Sequence, residues 1–268
     1  LIGILTESAS RPFDTGVPDE GVVPSPVTAL LHAAVLVKIV VYVFARLFIT
    51  TFTISAVWHT VVPVIAAVSA LVSAGAALVA TDIKRIIAYS TVSQIAFILL
   101  GLAVGSEVAV AGGLLYILMH GLAKGGLFLC AGIVEQNTKT KDITKMGGLI
   151  SAMPITAVSF LACAFSVMGI PPFGGFFSKY LVFSGTFSSG HYFIGMTFLA
   201  GAMLTILYLM RIFNMVFMGD ANISGVKEGS KAMVASVAAL AILSLVGGLV
   251  INYPSGFAQA AVKQMLGI

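Results

Sequence analysis

The sequence predicts an all-α polytopic membrane protein, and three observations carry that prediction. Charged residues make up 9% of the 268-residue chain and hydrophobic residues 59%, and the mean hydropathy is +1.09. Soluble domains carry about 25% charged residues, so this chain has too few polar groups to cover a water-exposed surface. The apolar residues also fall in long continuous runs, one of which is interrupted by proline and glycine. A soluble globular or disordered protein is therefore excluded.

The apolar runs are rich in Leu and Ala and lack the alternation of a barrel strand, which favours helices. A helix needs about 20 apolar residues to span a bilayer. We interpret the chain as a single transmembrane domain, with the end of a helix and a connecting loop at 1–26, a helix bundle at 27–251 and a C-terminal tail at 252–268. The predicted apolar segments are 27–48, 57–80, 86–104, 108–133, 153–168, 173–187, 192–218 and 232–251.

Two of these segments are too short to cross a membrane alone, and the sequence Gly-Ile-Pro-Pro-Phe-Gly-Gly at 169–175 separates them. The two prolines remove backbone donors and the glycines loosen the chain, so a helix must break here. Either the pair forms two thin spans, or it forms one discontinuous helix at 153–187. The residues that break the helix are Gly169, Pro171, Pro172, Gly174 and Gly175.

The distribution of positive charge decides between these alternatives, because cytoplasmic loops carry an excess of Lys and Arg. One discontinuous helix puts nine cations on one face and two on the other, whereas two spans divide them six against five. The first arrangement has the expected asymmetry. We therefore predict one broken helix, about seven crossings after an N-terminal helix remnant, and cytoplasmic loops at 82–85, 134–152 and 219–231. The nine cations are Arg11, Lys84, Arg85, Lys139, Lys141, Lys145, Arg211, Lys227 and Lys231.

Three lysines have no role in this topology: Lys38 and Lys124 lie inside hydrophobic segments, and Lys179 lies just beyond the break. A lysine at the bilayer centre costs at least about 2.5 kcal/mol. Snorkelling explains Lys38 and Lys124 poorly, because both are too deep to reach water easily. All ten acidic residues lie outside the segments or at their edges. Buried lysines without anions can accept and release protons, which predicts a proton relay, with a purely structural role as the alternative.

Two histidines extend the predicted relay. His120 lies four residues before Lys124 and therefore on the same helix face. Imidazole titrates near neutral pH, so this pair can pass a proton along. His32 lies six residues before Lys38, on another face of its helix, which could still line the same cavity.

Lys84 precedes a polar run at 90–94 at the start of one segment. This run either holds water beside the relay or only packs helices together. The two cysteines, Cys130 and Cys163, lie in apolar runs, and the sequence contains no phosphate loop, zinc spacing, haem motif or nucleophile triad. We therefore expect no cofactor, metal, redox site or hydrolytic site in this chain. The formal charge of +4 is too small and scattered to predict a nucleic-acid partner.

Several motifs occur in order along the chain, and with them it resembles the antiporter-like subunits shared by respiratory complex I, Mrp-type cation/proton antiporters and membrane-bound hydrogenases. The resemblance covers nearly the whole chain, which would be roughly the second half of the family fold. The motifs are Pro-Ser-Pro-Val-Thr-Ala-Leu-Leu-His-Ala-Ala at 24–34, Asp-Ile-Lys-Arg at 82–85 with Ala-Tyr-Ser-Thr at 88–91, His-Gly-Leu-Ala-Lys at 120–124, Met-Gly-Gly-Leu at 146–149 and Gly-Ile-Pro-Pro-Phe-Gly-Gly-Phe-Phe-Ser-Lys at 169–179.

The resemblance implies a fold of about fourteen helices with two inverted repeats, each containing a broken helix. The broken helix of this chain would be the twelfth. Lys38 would be the central lysine of the eighth helix, Lys124 the lysine of the eleventh, and Lys179 that of the twelfth, facing the exit to the outside. The connecting lysine of the ninth helix and the two histidines of the same hydrophilic axis would be Lys84, His32 and His120.

One position departs from the family pattern. The family has a lysine in its seventh helix, paired with a glutamate of the fifth helix, and this chain has Glu7 in its place. The following Pro-Phe-Asp-Thr-Gly-Val-Pro at 12–18 lacks the family's His and Trp. This charge reversal removes the cation of the family's usual ion-pair switch. The resemblance also implies partners: other membrane subunits of a complex, including whatever supplies the first half of the fold.

The residues and the resemblance together predict proton translocation through the buried Lys and His relay. The chain would be a subunit of a redox-driven pump of complex I or hydrogenase type, or of an Mrp-type antiporter, and hence part of a translocase. We expect it in a prokaryotic cytoplasmic membrane, in contact with lipid, with protons or Na⁺ as the coupling ion. Two alternatives are a non-conducting scaffold, which Glu7 favours, and a proton-path subunit of an inorganic-carbon uptake system.

Overall fold

The described residues form a bundle of α-helices, and within them the one β pairing is an isolated bridge between Asp82 and Asp142. The predicted all-α class is therefore confirmed. The computed structural model describes residues 36–52, 54–220, 223 and 225–267. The helices are α1 (Leu36–Phe44) with a π-helical continuation (Ala45–Thr51), α2 (Trp58–Val79), α3 (Ile83–Ala103), α4 (Glu107–Thr138), α5 (Pro154–Met168), α6 (Gly174–Ser188), α7 (Tyr192–Phe217), α8 (Lys231–Leu249) and α9 (Asn252–Leu266).

Five helices in the described ranges are long and apolar enough to span a membrane, namely α2, α3, α4, α7 and α8. Helix α1 with its π-helical continuation corresponds to the first predicted segment, 27–48, and the half-helices α5 and α6 together correspond to the predicted broken helix. The first and last residues of the helices agree closely with the predicted segments. The segment predicted at 192–218, for example, is the helix Tyr192–Phe217. The described chain thus accommodates the seven crossings expected.

Two loops are joined by backbone hydrogen bonds at one end of the bundle, here named the Asp82 end. The N–H of Ile83 donates to the carbonyl oxygen of Lys141, and the N–H of Ile143 donates to that of Thr81, each over 2.9 Å. The turn between α2 and α3 and the loop after α4 therefore lie together. This fixes α3 and α4 as neighbours that run in opposite directions.

The loop before α5 and the end of α7 also meet each other. The N–H of Gly148 donates to the carbonyl oxygen of Met218 over 2.9 Å, and the N–H of Ile150 donates to that of Phe217 over 3.0 Å. The start of α5 and the end of α7 therefore lie at the same end of the bundle. Since α7 crosses the bundle once to return there, α5 and α6 together can cross it only once. Helices α5 and α6 therefore form one crossing, and the discontinuous helix predicted at 153–187 is confirmed.

The break between α5 and α6 depends on close approaches that only glycine allows. Gly169 ends α5 in the left-handed conformation, with φ of 82°. A Cβ atom on Gly175 would collide with the carbonyl oxygen of Ser166, and one on Gly248 of α8 would collide with that of Pro172. The breaking segment therefore packs tightly against both α5 and α8.

Helix α3 lies at the centre of the bundle. An 18-residue apolar window of α3 is 94% buried, whereas the corresponding window of α8 is 22% buried. The hydroxyl and amide groups of the polar run at 90–94 are all inside the bundle. Because such groups need partners in an apolar interior, this run is part of an internal polar site.

Two cations lie deeper in helices than the sequence interpretation placed them. Lys84, assigned to a loop at 82–85, lies in the first turn of α3, because the Asp82 side chain accepts hydrogen bonds from the N–H groups of Lys84 (2.8 Å) and Arg85 (3.1 Å) and starts the helix at Ile83. Arg211, counted among the cations of loops and helix ends, lies inside α7. Its guanidinium donates to the carbonyl oxygens that end α2, those of Leu78 (2.5 Å) and Ala80 (2.9 Å).

The segment 252–268, interpreted as a tail, contains helix α9. Its buried residues Ala258 and Val262 lie four apart and join the apolar cluster that includes residues of α4. No spanning segment was predicted here because the helix is short and only one of its faces is apolar. Gly267 ends the helix in the left-handed conformation, with φ of 71°.

Candidate functional site

Helix α4 carries three buried polar residues, Tyr116, His120 and Lys124, at intervals of four. Residues four apart share a helix face, so the three form a stripe through the interior of the bundle. The rings of Tyr116 and His120 meet edge to face, with centroids 5.7 Å apart. Both ring nitrogens of His120 are buried and have no hydrogen-bond partner among the described residues.

Lys124 is fully buried between α4 and α3. Its ammonium donates to the carbonyl oxygen of Ile87 over 3.0 Å and to the Ser90 hydroxyl over 2.6 Å. The Thr91 hydroxyl donates to the same Ile87 carbonyl oxygen over 3.0 Å. Lys124 is thus held by a carbonyl and a hydroxyl of the polar run on α3.

A chain of side-chain hydrogen bonds continues from Ser90 through the interior. Its hydroxyl lies 2.7 Å from the Tyr208 hydroxyl of α7. The Gln94 amide donates to the Tyr208 hydroxyl over 3.3 Å and to the Thr205 hydroxyl over 3.2 Å. The Tyr116 hydroxyl donates to the side-chain amide oxygen (Oε1) of Gln94 over 2.6 Å. Three helices therefore build one polar chain that starts at Lys124 and ends at Tyr116, on the same stripe.

Lys179 approaches the other end of this chain from α6. Its ammonium lies 5.8 Å from the centroid of the Tyr116 ring and 5.4 Å from that of Phe97, within the range of cation–π contacts. The same ammonium donates to the carbonyl oxygen of Val167 over 2.7 Å. Lys179 therefore reaches back across the break to the end of α5, and Gly169 leaves the space that its side chain uses.

Lys38 approaches the stripe from α1. Its ammonium donates to the carbonyl oxygen of Ile117, one turn before His120 on α4. Ile117 lies between Tyr116 and His120, so Lys38 reaches the part of α4 that carries the stripe. Lysines of α1, α4 and α6 therefore all lie along the stripe of α4 that includes His120.

The three central lysines share one mode of binding. Each ammonium donates to a backbone carbonyl oxygen, that of Ile117, Ile87 or Val167. In the part of the chain that the structure describes, the ion pairs recorded involve none of these three lysines. The site is therefore cationic when its lysines are protonated, and like charges close together in a medium of low dielectric constant repel strongly.

Lys84 lies apart from this group, at the Asp82 end. Its ammonium lies 2.5 Å from a carboxylate oxygen of Glu135, near the end of α4, and Lys141 lies 3.5 Å from the other oxygen of the same carboxylate. The Lys84 side chain is 3% exposed and the Glu135 side chain 26% exposed. Unlike the three central lysines, Lys84 has a carboxylate partner.

Most of the sequence matches the profile of a known protein family. The family profile described as "NADH:quinone oxidoreductase/Mrp antiporter, TM" matches residues 1–205, well over half of the chain. The chain belongs to this family.

Proteins similar to this chain include both Na(+)/H(+) antiporter subunits and NADH-quinone oxidoreductase subunits. One Na(+)/H(+) antiporter protein of Bacillus subtilis (strain 168) is 35% identical over 241 residues, which cover 82% of this chain and 30% of that protein. The NADH-quinone oxidoreductase subunit L of Campylobacter jejuni is 36% identical over 250 residues, covering 92% of this chain and 41% of that protein. The chain thus spans less than half the length of these curated relatives.

Two solved structures contain chains with the same fold as this protein. A chain in the structure of the Mrp complex from Dietzia sp. DQ12-45-1b superposes with a TM-score of 0.92 at 22% identity, over 99% of this chain and 58% of that one. A chain of the membrane-bound sulfane sulfur reductase, an archaeal respiratory membrane complex, gives 0.89 at 24% identity, over 98% and 54%. The expected antiporter-like architecture is therefore confirmed.

Four of the predicted relay residues lie together in the structure, namely Lys38, His120, Lys124 and Lys179. Lys84 is separate and pairs with Glu135. Two further sequence predictions, the relay histidine His32 and the altered ion-pair position Glu7, lie outside the described residues.

Sequence reasoning missed three members of the site, Tyr116, Tyr208 and Glu135. Tyr116 could have been found, because it continues the four-residue spacing of His120 and Lys124. Glu135 follows Lys124 by eleven residues, which is three helical turns and returns to nearly the same face. Its position near the predicted end of the segment concealed this relationship. Tyr208 gave no such signal, because its partners lie on another helix.

Proposed function

We propose that this chain moves protons across a membrane through a buried relay of Lys38, His120, Lys124 and Lys179. The observation that carries the proposal is the continuous polar chain from the Lys124 ammonium through Ser90, Tyr208 and Gln94 to Tyr116. Hydroxyl and amide groups both donate and accept hydrogen bonds, so such a chain can orient a proton path between ionisable groups. Lys84 and His32 would extend the path.

The binding of the lysines by carbonyl oxygens supports a role in proton exchange. A carbonyl oxygen stabilises a protonated ammonium by a hydrogen bond but supplies no full negative charge to fix the proton there. Repulsion from a newly protonated neighbour can then drive a proton onward, because unscreened charges interact strongly in a protein interior. Events elsewhere in a complex would drive transport by changing the protonation of successive lysines.

The buried polar groups around the stripe support a path that water completes. His120 has no hydrogen-bond partner among the described residues, and neither do the hydroxyls of Ser93 and Ser166. Buried polar groups are normally satisfied by protein or by ordered water. Hydration of these groups would bridge His120 to the lysines that surround it.

The setting of the chain follows from its relatives and its loops. We propose that it is a subunit of a multi-subunit translocase in a prokaryotic cytoplasmic membrane, either an Mrp-type cation/proton antiporter or a complex I-like or hydrogenase-type redox-driven pump, with protons or Na⁺ as the coupling ion. Other membrane subunits and lipid would cover the exposed faces of α7 and α8. The excess of cations at the Asp82 end supports a cytoplasmic location for it.

The proposal is tested by replacing Lys124 with methionine in the assembled complex and measuring proton uptake into inverted membrane vesicles with a pH-sensitive dye. We expect uptake to be lost while blue-native gels show normal assembly. Lys263→Met, at an exposed lysine near the end of α9, is the matched control and should keep the normal rate. Normal uptake in Lys124→Met would refute the proposal.

A second candidate function is a non-conducting scaffold that keeps the fold and the lysines but only holds its neighbours together. The presence of Glu7, where relatives of this kind are expected to carry a lysine, favours it. Neutralising Lys38, Lys124 and Lys179 together separates the two functions. Unchanged transport by the whole complex would support the scaffold, and lost transport with normal assembly would support the relay.

A further inference from the structure

Glu135 occupies the boundary between the interior and the surface at the Asp82 end. One of its carboxylate oxygens lies 2.5 Å from the Lys84 ammonium, and the other lies 3.5 Å from the Lys141 ammonium. The Lys84 side chain is 3% exposed, whereas those of Glu135 and Lys141 are 26% and 34% exposed. The carboxylate therefore contacts an interior cation on one side and a surface cation on the other, and it can itself exchange protons with water.

Glu135 is also aligned with the central relay. It lies on α4 eleven residues after Lys124, which puts it on nearly the same face and about 16 Å further along the helix. Its partner Lys84 lies on α3, three residues before Ile87, whose carbonyl oxygen binds Lys124. The Glu135–Lys84 pair therefore lies between Lys124 and the aqueous surface at the Asp82 end.

The surrounding backbone holds this arrangement in place. Asp82 starts α3 by accepting hydrogen bonds from the backbone N–H groups of Lys84 and Arg85. The N–H of Ile83 donates to the carbonyl oxygen of Lys141 over 2.9 Å, which ties the loop that carries Lys141 to the start of α3. The start of α3 and the loop after α4 are therefore held together beside the three charged groups.

We infer that Glu135 is the carboxylate through which protons enter the relay from the Asp82 end, an inference that rests on the proposed function. A proton from the aqueous side binds the Glu135 carboxylate and removes the counter-charge of Lys84. Lys84 then releases its own proton toward Lys124, and Glu135 returns its proton to the neutral Lys84 amine. One proton has entered and one has moved inward, and both residues regain their starting states.

Other charged groups lie on the elements that meet at the Asp82 end. Hydrogen bonds from Thr144 lower the pKa of the Asp142 carboxyl group. Besides Lys84 and Lys141, these groups are Arg85 of α3, Lys139, Asp142 and Lys145 of the loop after α4, and Glu228 of the loop before α8.

Glu135→Gln tests the inference, because glutamine keeps the size and polarity of the side chain but exchanges no proton. In vesicles that contain the whole complex, we expect proton uptake to slow on the order of tenfold or more, and to lose its dependence on the pH at the Asp82 end. Glu107→Gln, at an exposed carboxylate at the other end of α4, is the matched control and should leave both unchanged. Glu135→Asp keeps the carboxylate and should restore most of the rate.

A double variant separates proton exchange from a purely structural ion pair. Lys84→Gln combined with Glu135→Gln removes both charges and leaves no buried charge unpaired. Continued slow uptake supports proton exchange, and recovery to the normal rate overturns it. Where Glu135→Gln reduces assembly, the pH profile of Glu135→Asp decides, since a shifted profile supports the inference and an unchanged profile overturns it.

Lys124→Met distinguishes failure of this inference from failure of the proposed function. A normal rate and pH profile in Glu135→Gln, together with lost uptake in Lys124→Met, would overturn the role of Glu135 alone. Normal uptake in both variants would overturn the relay as well.

Discussion

The ammonium of Lys179 donates a hydrogen bond to the carbonyl oxygen of Val167 over 2.7 Å, across the break that divides the discontinuous helix. Val167 lies in the last turn of α5, where the carbonyl oxygens lack intrahelical partners and carry partial negative charge. The break therefore does more than bend the chain, because it creates a polar acceptor for a buried cation at the centre of the bundle.

Gly169→Ala tests whether the break positions Lys179. Gly169 has φ of 82°, and a Cβ atom there would lie 3.0 Å from Cδ of Lys179. We expect the alanine to displace the lysine and slow proton uptake into vesicles. Gly190→Ala is the matched control, since Gly190 has φ of 80° but a Cβ atom there would meet nothing within 4 Å. Both variants should lose about 1–2 kcal/mol of stability from the left-handed backbone, so equal transport rates would contradict this role.

Tyr208→Phe tests the polar chain between Lys124 and Tyr116. Its hydroxyl is the link between Ser90 and Gln94, and phenylalanine removes that link while filling the same space. We expect uptake to fall on the order of tenfold. The loss of stability should be only about 1 kcal/mol, measured by thermal unfolding of the solubilised complex. Tyr253→Phe, at an exposed tyrosine, should change neither quantity; a normal rate in Tyr208→Phe would show that protons do not need this link.

Glu228→Gln should lower stability without affecting transport. The Glu228 carboxylate accepts hydrogen bonds from the N–H of Thr156 over 2.9 Å and from its hydroxyl over 2.7 Å, in the first turn of α5. A negative charge at a helix N-terminus contributes about 0.3–1 kcal/mol, which glutamine would lose. The thermal midpoint should therefore fall while uptake per assembled complex stays normal. Asp220→Asn, at an exposed carboxylate in the same loop, controls for the change in charge, and an equal fall there would contradict the capping role.

The fold could be predicted from the sequence because it depends on two simple features, the lengths of the apolar runs and the distribution of charged residues between loops. Apolar run lengths gave the helices, and the charge asymmetry gave the single broken crossing that the Gly148–Met218 hydrogen bond confirms. The C-terminal helix α9 was missed because it is short and only one of its faces is apolar.

The site was only partly predictable. Spacing on one helix connected His120 with Lys124, and the absence of any topological role singled out the central lysines. Contacts between helices leave no pattern in the sequence. The bond between the Ser90 and Tyr208 hydroxyls joins residues 118 positions apart, and that between Lys38 and Ile117 joins residues 79 positions apart.

Proton uptake by the Lys124→Arg variant tests the central claim most directly. Arginine keeps the positive charge and can still donate to the Ile87 carbonyl oxygen, but it stays protonated at every accessible pH and so cannot pass a proton on. With normal assembly on blue-native gels, the relay predicts that uptake into vesicles is lost. Uptake at the normal rate in that variant would contradict the relay, because a fixed charge at this position would then be sufficient.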